Sequence, residues 1–291
     1  MSERSNLNAG DGVAASEVVR VGLNGFGRIG RNVFRAVLDD PRIELVGVND
    51  VMEFDDMAYL AKYDTVMGRL DDVTRVEDSL VVGDSSVPLY NVQDPTRLPW
   101  DDLDVDVALE CTGIFRTKGD AAAHLDAGSD RVVISAPPKG EEYVRQIVYG
   151  VNHDEYDGEA VVSCASCTTN SISPVAMLLD DEYGIEHGLL TTVHAYTGSQ
   201  SLIDGPKAKT RRGRAAAENI VPTSTGAAAA TTTILPQLEG KLDGMAMRVP
   251  VPNGSVTELV VSLSASPSVP ELNDVFRDAA DSGPLAGVLG Y

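Results

Sequence analysis

Two cysteines three positions apart, Cys164 and Cys167, lie in the stretch Ser163-Cys164-Ala165-Ser166-Cys167-Thr168-Thr169-Asn170. A cysteine does chemistry as its thiolate, which is favoured where backbone N–H groups and the positive end of a helix dipole face the sulfur and pull the thiol below its ordinary value of about 8.5. The sequence predicts such a place for Cys167. Ala160-Val161-Val162 reads as a strand and Ser171 to Leu179 as a helix with Pro174 in its first turn, so Cys167 falls at a strand-to-helix junction. A thiolate there is equipped to attack a carbonyl carbon. The CxxC spacing by itself also fits a redox pair or half a zinc site, or a reversible disulfide that protects Cys167. There is no second CxxC, and no metal is expected.

A second constellation binds phosphate. The β-branched run Val18 to Leu23 leads into Asn24-Gly25-Phe26-Gly27-Arg28-Ile29-Gly30-Arg31, followed by a helical pattern through Val33, Phe34, Val37 and Leu38. Strand, glycine loop and helix form the context that a dinucleotide fingerprint requires. Gly25 permits the tight turn, Gly27 lets the backbone approach a pyrophosphate, and Gly30 lets helix pack on strand, with the phosphates at the helix N-terminus. A further strand, Glu44 to Val48, ends at Asp50, twenty positions beyond Gly30. An acid there accepts hydrogen bonds from the adenosine ribose and repels a 2′-phosphate, which favours NAD over NADP.

The rest of the chain must position these two groups. At 291 residues and 43% apolar content it can bury two ordinary cores. The expected fold is α/β: a Rossmann dinucleotide-binding domain with a parallel sheet, and an α+β catalytic domain with a largely antiparallel sheet. The expected boundaries are a disordered leader at 1–16, the NAD-binding domain at 17–166 and the catalytic domain at 167–291. Val105 to Glu110 and Arg131 to Ser135 continue the parallel sheet, with Val144 to Tyr149 and Ala160 to Ser163 as its last pair. Cys111-Thr112-Gly113 lies at a C-terminal strand edge, where open α/β sheets hold ligands; Cys111 itself reads as a packing residue. Beyond Cys167, apolar alternation in Leu189 to His194, Gly244 to Pro250 and Thr257 to Leu263 predicts long half-covered strands. Residues 195–219 read as a long irregular segment carrying Lys207, Lys209, Arg211, Arg212 and Arg214, either a solvated face or an anion site and subunit contact.

Composition narrows the setting. The net charge is -21, and six of the 23 basic residues are lysine. This excess repels nucleic acid and anionic membranes, and its spread along the chain fits solvation in high salt. No run of eighteen apolar residues occurs, the N-terminus lacks a signal-peptide pattern, and three cysteines fit a reducing cytoplasm.

With both constellations in view, the chain from about Val18 onward closely resembles phosphorylating glyceraldehyde-3-phosphate dehydrogenases. The shared landmarks are NGFGRIGR at 24–31, ECTGIF at 110–115, SCTTN at 166–170, TTVHAYT at 191–197, STGAA at 224–228 and MRVPVPNGSV at 247–256. The resemblance implies that Cys167 is the nucleophile and His194 its base. A lone histidine in an apolar strand is more commonly a satisfied core residue, but the TTVHAYT setting reverses that. It further implies that Gly25, Phe26, Gly27, Arg28, Ile29, Asp50, Thr112, Gly113 and Ser135 hold NAD. Thr197 and Arg248 would hold the phosphate of glyceraldehyde 3-phosphate. Ser166, Thr168, Thr225 and Gly226, with Arg212, would hold the attacking inorganic phosphate. A homotetramer is implied, in which segment 195–219 lines a neighbour's cofactor cleft.

Departures from the family pattern matter as well. Cys164 stands where an asparagine is common, Ser171 where many members carry a second cysteine, and Val51 where residues vary with cofactor preference, while Pro206 is of the type found in NAD-using forms. The family continues past Tyr291 with more sheet and a long C-terminal helix, so the catalytic domain is expected to be incomplete here. Three other readings stay open: a relative acting on erythrose 4-phosphate, an inactive dinucleotide-binding protein, and a CxxC redox protein.

Overall fold

The computed structural model describes residues 18–291, so the expected leader at 1–16 lies outside the described residues. The chain divides into two compact units: the residues up to Arg145 with Gly158–Ser163, and Gln146–Asp157 with Cys164–Tyr291.

The first unit begins with β1 (Val19–Asn24), α1 (Arg28–Val37), β2 (Ile43–Asn49) and α2 (Phe54–Lys62). A small hairpin, β3 (Tyr63–Asp64) and β4 (Gly68–Arg69), precedes β5 (Val73–Val76), β6 (Ser79–Val82) and β7 (Ser85–Tyr90). Then come β8 (Val107–Glu110), α3 (Lys118–Asp126), β9 (Arg131–Ile134), β10 (Arg145–Gln146) and β11 (Val161–Ser163). The sheet order is β10-β11-β9-β8-β1-β2-β7-β6-β5. β1 runs parallel to both β2 and β8, and β8–β9, β9–β11 and β2–β7 are parallel too, whereas β5, β6 and β7 form an antiparallel meander. Chain order reverses between β1 and β8. Ligands of open α/β sheets bind outside the strand ends at that reversal.

The C-terminal halves of β1 and β2 are buried, as central strands covered on both faces must be. Leu23, Val48, Phe26, Phe34 and Met57 are all fully buried in one cluster, with Phe26 and Phe34 in edge-to-face contact at 5.5 Å. Cys111 packs in that same core. Two expected strands shorten. The Val105 N–H donates to Trp100 O at 3.0 Å, so the strand starts later. Of the expected strand from Val144 to Tyr149 only β10 forms, because the Val148 N–H goes to the Asn152 side chain at 2.8 Å and a turn closes there.

The second unit holds α4 (Cys167–Tyr183), β12 (Ile185–Ala195), β13 (Val221–Ser224), α5 (Ala227–Ile234), β14 (Leu242–Val249), β15 (Val256–Leu263) and α6 (Val269–Asp281). Its sheet runs β13-β14-β12-β15. The outer pairs are antiparallel, while β12 and β14 are parallel, so the sheet is mixed and largely antiparallel. Gly244 lets those two strands meet, since a Cβ there would lie 2.5 Å from Leu190 Cγ. Ile172, Leu190 and Ala228 join α4, β12 and α5 in one buried cluster. Segment 195–219 is more ordered than its composition predicts. It contains a 3-10 turn at Thr210–Gly213, and it is tied by Gly205 N to Gly213 O at 2.8 Å and by Ala216 N to Ser201 O at 3.0 Å. Arg214 pairs with Asp204.

Candidate active site

Helix α4 starts four residues earlier than its apolar pattern predicts. Ser166 is the reason: its side chain accepts from Thr169 N at 3.0 Å and caps the helix, satisfying one of the orphan donors of the first turn. Cys167 is therefore the first helical residue and Pro174 lies inside the helix. Ala165, buried with φ of 56°, occupies the left-handed region and turns the chain sharply from β11 into the helix. Backbone strain of this kind concentrates where a side chain has to be aimed.

The partner arrives by sheet register. Along β12, Leu190, Thr192 and His194 share the covered face, and pairing with β14 sets His194 beside Arg248. Cys167 Sγ lies 3.3 Å from His194 Nε2. His194 Nδ1 lies 2.7 Å from Ala195 O, which turns Nε2 toward the sulfur. The Cys167 thiol is lowered, first by its hydrogen bond with His194 against an opposing cost of burial, then by the charge of His194 and by hydrogen bonds from Thr168. Cys164, although it reaches the surface, behaves oppositely: desolvation by the atoms packed around its sulfur pushes its thiol up.

Arg248 converges on the same place. Its Nη1 donates to Ala195 O at 3.0 Å and to Thr197 Oγ1 at 3.3 Å, and lies 3.0 Å from His194 Nδ1. Its Nε is buried with no acceptor. Burial, and next the like charge of Arg212, push Arg248 below the ordinary guanidinium range, while the Cys167 charge opposes them. Two guanidinium groups that repel each other and an unsatisfied buried donor fit an anion. Arg212 is held by its Nε donating to Thr223 Oγ1 at 3.1 Å. Thr225 accepts from Ala227 N at 3.1 Å. Gly226 precedes α5 without a side-chain cap, and no atom lies within 4 Å of the position its Cβ would take. Cys167 and His194, His194 and Arg248, and Arg248 and Thr197 are thus in direct contact; Ser166 and Thr168 flank the sulfur along the chain; Thr225 and Gly226 precede α5, which packs on α4.

The residues that the resemblance assigns to the dinucleotide lie at the C-terminal ends of β1, β2, β8 and β9, beside the reversal point of the first sheet. Gly25 has φ of 96°, and a Cβ there would lie 2.5 Å from Thr112 N; only glycine fits both constraints. Gly30 packs α1 on β1, since its Cβ would fall 1.9 Å from Gly25 O, whereas a Cβ on Gly27 meets nothing within 4 Å. The backbone at Gly27 is thus open to close approach, and Gly27 leaves α1 without a side-chain cap, so Arg28 and Ile29 open a helix whose end favours an anion. Asp50 accepts from Phe26 N at 2.6 Å and from Met52 N at 3.1 Å, which fixes the carboxylate and leaves lone pairs for ribose hydroxyls. Thr112 bonds back to Glu110 through its N–H and hydroxyl. Gly113 has φ of 71°. The Ser135 N–H donates to Glu110 O at 3.0 Å. Sequence reasoning passes over a pocket of about 330 Å³ lined by Asn91, Val92, Gln93, Asp94 and Arg97. The Val92 N–H donates to Asn49 at 2.8 Å, next to Asp50 in the chain, and no local motif announces the pocket.

Fold and residues define an NAD-dependent oxidoreductase with a Rossmann domain and a cysteine–histidine centre. The family model for the glyceraldehyde 3-phosphate dehydrogenase NAD binding domain matches residues 19–118, and that for the C-terminal domain matches 166–291. The chain is 65% identical to the glyceraldehyde-3-phosphate dehydrogenase of Haloarcula vallismortis and 52% identical to that of Streptomyces coelicolor. The Mycobacterium tuberculosis enzyme of the same name is 51% identical. Each match covers 94% of this chain and 82% of the relative. The chain belongs to the glyceraldehyde-3-phosphate dehydrogenase family, and its cofactor is NAD.

Proposed function

We propose that this chain catalyses the phosphorylating oxidation of D-glyceraldehyde 3-phosphate to 1,3-bisphosphoglycerate, as a step of glycolysis or gluconeogenesis. The observation that carries the reading is the 3.3 Å contact between Cys167 Sγ and His194 Nε2 at the foot of Arg248. His194 Nε2 takes the thiol proton, the thiolate adds to the aldehyde carbon, and Nε2 returns that proton to the aldehyde oxygen to give a hemithioacetal. Arg248 and Thr197 hold the substrate phosphate, so the carbonyl carbon stays within reach of the sulfur. His194 then accepts the hemithioacetal hydroxyl proton as the carbon is oxidised to a thioester. Bound NAD supplies the hydride acceptor for that oxidation. An oxygen of inorganic phosphate, oriented by Ser166, Thr168, Thr225, Gly226 and Arg212, attacks the thioester carbon. The C–S bond breaks, the acyl phosphate forms, and Cys167 leaves as thiolate.

The working form we propose is a homotetramer in the cytoplasm, adapted to high salt by its acidic composition. Leu189 and Val260, and Val193 and Val256, face each other across the β12–β15 ladder on its outer side and are exposed there together with Met245, which supports burial against a second copy. Among the described residues no helix is long and apolar enough to cross a membrane. The test is NADH formation from glyceraldehyde 3-phosphate and NAD, with and without phosphate, in low and molar salt, beside a Cys167→Ser chain. Phosphate-dependent turnover that vanishes in the variant is expected; equal turnover in both chains, or turnover that does not depend on phosphate, sinks the mechanism. Sedimentation of wild type against Val260→Asp tests the oligomer.

A further inference from the structure

Under the glycine loop lies a buried polar chain that the proposed mechanism does not use. Glu110, the last residue of β8, is fully buried, as is His124 of α3; Asn24 and Asn49 are nearly so. Glu110 Oε1 accepts from Thr112 N at 2.7 Å and from the Thr112 hydroxyl. Its Oε2 accepts from Asn24 Nδ2 at 2.6 Å and lies 3.1 Å from His124 Nε2. On the far side of the imidazole, Trp100 Nε1 donates to His124 Nδ1 at 3.0 Å. An indole nitrogen can only donate, so Nδ1 holds a lone pair and the ring proton sits on Nε2, directed at Glu110. Asn24 Nδ2 and His124 Nε2 lie 3.4 Å apart, as two donors sharing one oxygen do. Each carboxylate oxygen thus takes two donors. The chain continues outward, since Asn49 Nδ2 donates to Asn24 Oδ1 at 2.7 Å and Asn49 Oδ1 accepts from Val92 N.

We propose that Glu110 and His124 are positioning residues of the dinucleotide site. The Glu110 carboxylate, held by the one neutral His124 tautomer that Trp100 permits, locks the Thr112-Gly113 turn and the Asn24-Gly25 turn into a single edge. The inference rests on the reading of Thr112 and Gly113 as cofactor contacts. A satisfied buried network of this kind rigidifies what it touches, and a half-satisfied one does the opposite. The local geometry gives a sharp discrimination. In Glu110→Gln the new NH₂ faces two donors whichever way it turns. In His124→Gln the side chain still offers an N–H toward Glu110 and an oxygen toward Trp100, while His124→Leu offers neither.

The test uses the full chain and three readouts: NAD affinity by equilibrium dialysis, amide hydrogen exchange across residues 110–114 without NAD, and emission of Trp100, the single tryptophan. Glu110→Gln and His124→Leu are expected to speed exchange at Thr112 and to weaken NAD binding roughly tenfold or more, the usual consequence of leaving buried donors unpaired. Loss of the indole acceptor in His124→Leu shifts the Trp100 emission; His124→Gln holds all three readouts near wild type. Unchanged exchange in Glu110→Gln and His124→Leu overturns the positioning role and leaves the cofactor reading standing. Faster exchange with unchanged NAD affinity means instead that the Thr112 turn is no cofactor contact, and the inference falls with that reading. If His124→Gln behaves as His124→Leu, the tautomer link is refuted. Should Glu110→Gln fail to fold, the two His124 variants decide the question alone.

Discussion

Two glycines of the loop after β1 make opposite predictions from the same substitution. At Gly27 the backbone has φ of -69° and ψ of -162°, open to any residue, and a Cβ meets no atom within 4 Å. The lower N-cap preference of alanine and its smaller unfolded-state entropy act in opposite directions, each within about 1 kcal/mol. Gly27→Ala should therefore keep its unfolding free energy within about 0.5 kcal/mol of wild type, by the near-cancellation of those effects. NAD affinity should nonetheless fall about tenfold or more, equivalent to at least ~1.4 kcal/mol, because the methyl group occupies the space proposed for the pyrophosphate. At Gly30 the added Cβ falls 1.9 Å from Gly25 O and 2.9 Å from Gly25 C. The start of α1 must then retreat by roughly 1.5 Å to reach ordinary contact distance. Overpacking of that kind costs about 1–3 kcal/mol, so Gly30→Ala should lose stability and NAD binding together. Urea unfolding followed by circular dichroism gives the first quantity and titration calorimetry with NAD the second. If Gly27→Ala binds NAD as tightly as wild type, the open ground above Gly27 is not the phosphate channel.

The Cys167–His194 pair predicts a pH profile: alkylation of Cys167 by iodoacetamide should rise through an inflection below that of an ordinary thiol, and His194→Gln should move the inflection upward. Identical profiles would show that the contact does not stabilise the thiolate. Asp64 gives a stability profile. Backbone N–H groups of Met67 and Val66, with Arg31 and Arg35 nearby, lower its carboxyl against the cost of burial. A carboxyl lowered by folding adds stability above its unfolded value and loses it as pH falls through the folded one. Asp64→Asn should be less stable at neutral pH and show a shallower acid limb in circular dichroism; parallel acid limbs refute this. At α6, Ser268 and Glu271 form a reciprocal cap. Ser268→Ala should cost the second unit about 1 kcal/mol in urea unfolding, and a loss near zero would mean the cap is idle.

What the sequence reveals and what it hides follow one physical division. The glycine loop, the cap at Ser166 and the alternation of β12 are set within a few residues of chain, and their periods and residue types are visible in the letters. Even there the signal has a limit: the apolar pattern of α4 starts at Ser171, while the helix starts at Cys167 because of one hydroxyl. Relations between distant segments are of another kind. That His194 stands beside Arg248 depends on a parallel register between β12 and β14, and parallel pairing leaves no hairpin turn in the sequence to betray it. Glu110 is the clearest case. It ends an apolar strand and would normally be assigned to the surface, yet it is fully buried because Asn24, Thr112 and His124, up to 86 positions away, bring their donors to it. Composition cannot signal that burial, since each donor has an unremarkable local setting. The same division explains why Asn24 and Glu110 can sit inside recognisable motifs and still receive no role from them: a motif reports the residues that face a ligand and is silent about the partners that hold those residues from behind.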